Sequence, residues 1–146
     1  MKKLDITLAM AKRKLAAKSG SLDEVTCTNV VQYLTAKQRI ALADEICRVL
    51  KAKGTAQVVF PHWCAAKYCG DLDVTWPPVT EAWFYRLNKE WRKANKVSGY
   101  KCDFDFTLGY GMHPAIVPRS QEHQHNALSF WKEAAQDTIA NLTKRA

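Results

Sequence analysis

The chain has 146 residues, of which 47% are hydrophobic and 25% charged, with five Trp. That composition excludes a disordered polymer, and the length fits one domain with a real core. No apolar run reaches the roughly 20 residues that a bilayer span needs, which excludes a membrane-spanning role. The basic start "MKKLDITLAMAKRK" is broken by Asp5, Lys12 and Arg13 and does not read as a secretion signal. Five scattered cysteines, Cys27, Cys47, Cys64, Cys69 and Cys102, then predict free thiols in a cytoplasmic protein.

The net charge of +8 is uneven: residues 1–20 carry +5 and residues 81–101 carry +4, while 21–80 balance and 102–146 come to −1. Two basic segments imply a positive surface rather than a generally basic protein.

In chain order, Leu4, Leu8, Ala11 and Leu15 fall at helical spacing and predict a first helix, stopped near Gly20. "SLDE" from Ser21 offers a capping box for a second helix through "VTCTNVVQYL", a segment rich in β-branched residues. "TAKQ" from Thr35 is a further capping box and opens a helix over Ala36 to Lys53, with Ile40, Ala43, Ile46, Cys47 and Leu50 inward. "AQVVF", "DLDVTW" and "YKCDFDFTL" predict strands, the last two alternating. Between the second and third, residues 81–97 predict one amphipathic helix. "GYGMHPAIVPRS" predicts a loop, and Ser120 caps a C-terminal helix with Leu128, Trp131, Ala135, Ile139 and Leu142 inward. The expected fold is α+β: about five helices packed on a small antiparallel sheet of about three strands, in a single domain over residues 1–146.

On the helix over 81–97, Trp83, Phe84, Leu87, Trp91 and Ala94 share one stripe at 100° per residue. Arg86, Lys89, Arg92, Lys93 and Lys96 form the opposite stripe, with Tyr85 among them. The tryptophans therefore read as core. The basic stripe with its aromatic reads as a phosphate-binding and base-stacking face, and Lys12, Arg13, Lys14 and Lys18 add a second source of charge. A solvated basic face is the competing reading.

Other constellations are weaker. His62, Cys64 and Cys69, with Cys102 on a later strand, contain zinc-type ligands but lack a close Cys pair at each end. Asp71 with Asp73, and Asp103 with Asp105, would form a four-carboxylate Mg²⁺ site if their strands paired; the polar faces of amphipathic strands explain them as well. His123 and His125 point to opposite sides of a helix, which excludes a joint acid–base role. No phosphate-cradling Gly loop and no nucleophile signature occurs.

The sequence thus predicts a small non-enzymatic protein that needs no cofactor and engages nucleic acid or a nucleoprotein complex. The alternatives are a protein–protein inhibitor or adaptor of phage type, and a metal-dependent nuclease using the paired aspartates.

Overall fold

The computed structural model describes residues 1–146. Its centre is a mixed sheet of five strands, where about three antiparallel strands were expected. In chain order the elements are β1 (Lys3–Asp5), α1 (Leu8–Ala11), β2 (Leu22–Thr28), a 3-10 turn (Val31–Tyr33), α2 (Ala36–Val49) and β3 (Leu50–Pro61). Then come α3 (Ala66–Cys69), α4 (Glu81–Tyr85), α5 (Lys89–Asn95), β4 (Phe104–Met112), α6 (Gln121–Phe130) and β5 (Ala135–Lys144). The sheet order is β1-β2-β3-β5-β4. The first three strands are parallel, with Val25 opposite Ala56 in the register of β2 and β3. β5 runs antiparallel to both its neighbours, so that β3 and β4 point the same way.

Helix α2 forms where expected. Thr35 accepts from Gln38 N at 3.2 Å and Gln38 Oε1 accepts from Thr35 N at 3.0 Å, a complete capping box. It stops at Val49 rather than Lys53, because Leu50 is already extended and begins β3. Arg48 grips Glu45 with two hydrogen bonds of 2.8 Å and donates to the carbonyls of Leu15 and Ala17, which fixes the irregular segment after α1 against α2.

Three helical expectations fail for local reasons. The first helix is only α1, preceded by β1, and Ile6, off the expected stripe, is buried in the core. The second is strand β2: Ser21 makes no cap, its hydroxyl donating to Lys18 O, and β-branched Val25 and Thr26 pair in parallel with Ala56 and Gln57. The C-terminal helix ends at Phe130, and Glu133, at φ 63°, turns the chain into β5. The expected strand "DLDVTW" is a loop, with Asp71 capping the Asp73 amide. The last expected strand forms only from Phe104, leaving Tyr100 to Asp103 outside it, and runs on through Gly109 and Gly111, residues assigned to a loop.

In the main core cluster Leu42, Ala43, Ile46 and Val49 of α2 pack with Val25, Val58, Phe60, Phe104 and Leu142 of the sheet, and a smaller cluster gathers Cys64, Ile116, Ala127 and Ala134. β3 alternates in its central part: Ala56, Val58 and Phe60 are buried, while Thr55 and Gln57 are exposed. The exposed face is polar, and Gln57 bonds Asn141 across it at 3.1 Å. No helix is long and apolar enough to cross a membrane.

Candidate functional site

In an open sheet with parallel strands, ligands sit outside the carboxyl ends of those strands. Here that edge collects Asp5 at the end of β1, Asn29 after β2, and His62 directly after β3. Because β4 runs parallel to β3, its Tyr110 also arrives there, opposite Thr138 of β5. The long connection after β3 then returns to the same edge with Glu81 in the first turn of α4.

His62 is 1% exposed. Its Nδ1 accepts from the Cys64 amide at 3.3 Å and lies 2.9 Å from Cys64 Sγ. A ring nitrogen that accepts leaves the proton on Nε2 in the neutral imidazole. That nitrogen faces Glu81 Oε1 at 3.7 Å, too long for a hydrogen bond, and has no other partner. Tyr110 donates its hydroxyl to the same carboxylate oxygen at 2.9 Å. The Glu81 carboxyl is held down at about 2, with His62 the first cause, against the opposing effect of burial and with further help from Tyr110. Tyr110 is pushed well above the ordinary phenol range by burial and then by Glu81. The result is a carboxylate fixed in its ionised form and one-third exposed at the mouth of the edge. Beside it, Trp63, Tyr68, Val74 and Trp76 line a cavity of about 300 Å³, and the Trp63 ring lies 5.5 Å from that of His62.

The other singled-out residues are dispersed. The expected helix over 81–97 is two short helices, since Asn88 caps Trp91 N at 3.0 Å and begins α5 afresh. Arg92 is consequently not on a basic face: it is buried and donates to the carbonyls of Arg86 and Cys102. Tyr85, Arg86, Lys89, Lys93 and Lys96 are exposed, as are Lys12, Arg13, Lys14 and Lys18. Asp71 accepts from Tyr33 at 2.7 Å, whereas Asp103 and Asp105 lie 3.9 and 3.7 Å from Arg145. The two aspartate pairs thus serve different partners. Cys69 and Cys102 bond the carbonyls of Ala66 and Leu87, away from the His62–Cys64 pair. No group of three or more His, Cys, Asp or Glu side chains is arranged to hold a metal ion. Sequence reasoning weighed His62 only as a zinc ligand and missed Glu81 and Tyr110. The available signal was positional: a histidine following an apolar strand stands at a carboxyl end once that strand is parallel.

No protein-family model and no curated protein matches the chain. Solved structures do. A SAM (S-adenosylmethionine) dependent methyltransferase from Archaeoglobus fulgidus superposes with a TM-score of 0.59 at 13% identity, over 94% of this chain and 64% of its own. The chain shares the Rossmann-like fold of that protein. A chain of the Haloferax volcanii complex between the Trm112 methyltransferase activator and a methyltransferase matches at TM-score 0.52 and 13% identity, over 93% and 59% of the two chains. A protein described as an S-adenosylmethionine dependent methyltransferase from Listeria monocytogenes matches at TM-score 0.52 and 11% identity, over 90% and 65%. The chain therefore spans between 59% and 65% of the length of these three neighbours. This methyltransferase fold overturns the expectation of a non-enzymatic nucleic-acid-binding protein, with its inhibitor, adaptor and nuclease alternatives. Of the basic stripe only Arg92 is withdrawn from the surface, because it braces the core.

Proposed function

We propose that this chain carries the methyl-transfer site of an S-adenosylmethionine-dependent methyltransferase at the carboxyl edge of β1, β2 and β3. The observation that carries the reading is the ionised Glu81, backed by His62 and Tyr110, at the edge where this fold class binds its ligands. The residues present fit a polar nucleoside cofactor in one respect: Gln32, just after β2, is 1% exposed and its Oε1 has no hydrogen-bond partner. Asp5, whose Oδ1 takes the Thr26 hydroxyl at 2.8 Å, suits ribose hydroxyls. One departure is that β1 passes into α1 through Ile6 and Thr7, with side chains where a glycine turn would admit the cofactor backbone closely.

When bound, the cofactor supplies an electrophilic methyl group on a sulfonium. Glu81 orients the acceptor by taking a hydrogen bond from its hydroxyl or amine. A carboxyl held at about 2 is too weak a base to take the proton at neutral pH, so its role is orientation and electrostatic support. His62 and Tyr110 keep that carboxylate ionised and aimed. A protein partner is compatible with this reading, the Haloferax volcanii neighbour coming from a complex with an activator.

The test is calorimetric titration with S-adenosylmethionine and S-adenosylhomocysteine, followed by transfer of a labelled methyl group to candidate acceptors. Saturable binding that moves the thermal midpoint is the expected result. No heat and no midpoint shift at millimolar ligand would overturn the reading.

A further inference from the structure

A second cavity, of about 400 Å³, lies between the first turn of α2 and α4. Its walls include Arg39, Arg86, Trp83, Tyr100, Pro77 and Thr80, and no carboxylate. Arg39 is 4% exposed. Its guanidinium donates to Val31 O at 2.9 Å, Thr75 Oγ1 at 3.0 Å and the carbonyl of Pro77. It has no acidic partner: the ion pairs of this protein involve neither Arg39 nor Arg86 nor Arg92. Arg92 stands behind the wall, 5.5 Å from the Tyr100 ring centroid.

A buried guanidinium without a counter-charge is costly, and carbonyl oxygens offset only part of that cost. Burial pulls the Arg39 pKa down accordingly. The Trp83 Nε1 on this wall is buried, with the Tyr100 hydroxyl as its polar neighbour. The Thr80 hydroxyl makes no bond to the helix it caps. Glu81, the nearest acid in sequence, is committed to Tyr110 and His62. Positive charge thus flanks a space bounded by two aromatic rings, with no acid on its walls.

We propose that this cavity binds a planar organic anion, an aromatic ring bearing a carboxylate-type group, with Arg86 and the field of Arg39 compensating its charge and Trp83 and Tyr100 contacting its ring. As the methyl acceptor's subsite it rests on the methyltransferase reading; as an anion site it does not. The cavity is of small-molecule size.

Benzoate, its neutral counterpart benzamide, and chloride are titrated at constant ionic strength without cofactor, read by tryptophan fluorescence and thermal midpoint. Benzoate should saturate, and benzamide should bind at least about tenfold more weakly. Arg86→Gln should weaken benzoate by a similar factor while the ligand-free protein melts as before. Equal binding of the two probes, benzoate binding undiminished in Arg86→Gln, displacement by chloride, or no binding would each overturn the anion site. Benzoate binding in a protein that ignores S-adenosylmethionine would keep the anion site and overturn the methyltransferase reading alone.

Discussion

Arg92 donates from Nη2 to the carbonyl oxygen of Cys102 at 2.7 Å, joining α5 to the start of β4. A second bond, from Nη1 to Arg86 O at 2.8 Å, joins it to the end of α4. One side chain therefore holds two short helices and a strand together. Arg92→Gln should cost about 2–3 kcal/mol, since charged buried hydrogen bonds are lost and carbonyls are stranded. Arg92→Lys should recover only part of it, because an ammonium lacks the planar fork. Lys89→Gln, on an exposed site, should stay within about 0.5 kcal/mol. Urea unfolding of the three variants decides the matter; equal stability for Arg92→Gln and Lys89→Gln would return Arg92 to the surface.

Phe84 is fully buried, its ring centroid 5.8 Å from Phe60 and 6.1 Å from Phe106. Phe84→Ala should destabilise by about 3–5 kcal/mol and Leu87→Ala by about 2–5 kcal/mol. Trp91, only half-buried, should cost less when truncated. A larger loss at Trp91 than at Phe84 would mean that α4 and α5 face the core differently.

Glu81 gives a pH signature. Its carboxyl titrates near 4.5 in an unfolded chain and about 2 in the folded one. The folded state thus binds this proton more weakly, so the contribution is complete above about pH 4.5 and disappears as pH falls toward 2. The stability difference between the parent and Glu81→Gln should shrink over that interval in urea titrations. A difference that stays constant from pH 6 to about 2.5 would show that the carboxylate gains nothing from His62 and Tyr110.

The thiols should separate by burial. Cys27 and Cys102 are pushed up to about 12, in both cases first by desolvation. Cys69 is exposed. A chromogenic disulfide reagent at pH 8 should label Cys69 first and reach Cys27 and Cys102 only on unfolding. Rapid native labelling of either buried thiol, located by mass spectrometry, would contradict this packing.

What the sequence disclosed was local. The Thr35 capping box with its helical stripe was readable because both signals lie within one helix and no long-range contact opposes them. β2 was not, since "SLDE" imitates a helix start and parallel pairing with β3 is invisible in one strand's own pattern. β5 misled in a different way: Leu128, Trp131, Ala135, Ile139 and Leu142 keep helical spacing across a break that one residue at positive φ imposes. The continuous helix over 81–97 failed at Asn88, a good N-cap residue in the middle of a good amphipathic stripe. His62, Glu81 and Tyr110 sit on three separate elements, and only the shared direction of β3 and β4 makes them neighbours. The buried, acid-free Arg39 was equally hidden, because its partners are the carbonyls of Val31 and Pro77 and one threonine hydroxyl far along the chain.

β5 lies between β3 and β4 although it comes last of the three in the chain. As the polypeptide is synthesised, β3 and β4 are complete before the strand that joins them exists. Both then present open edges flanking a vacant slot that fits one specific segment, Ala135–Lys144. A strand of that kind can be supplied by another copy while its own is delayed, so exchanged dimers and edge-to-edge aggregates are the characteristic hazards of expressing this protein at high concentration. Dilution favours each chain filling its own slot.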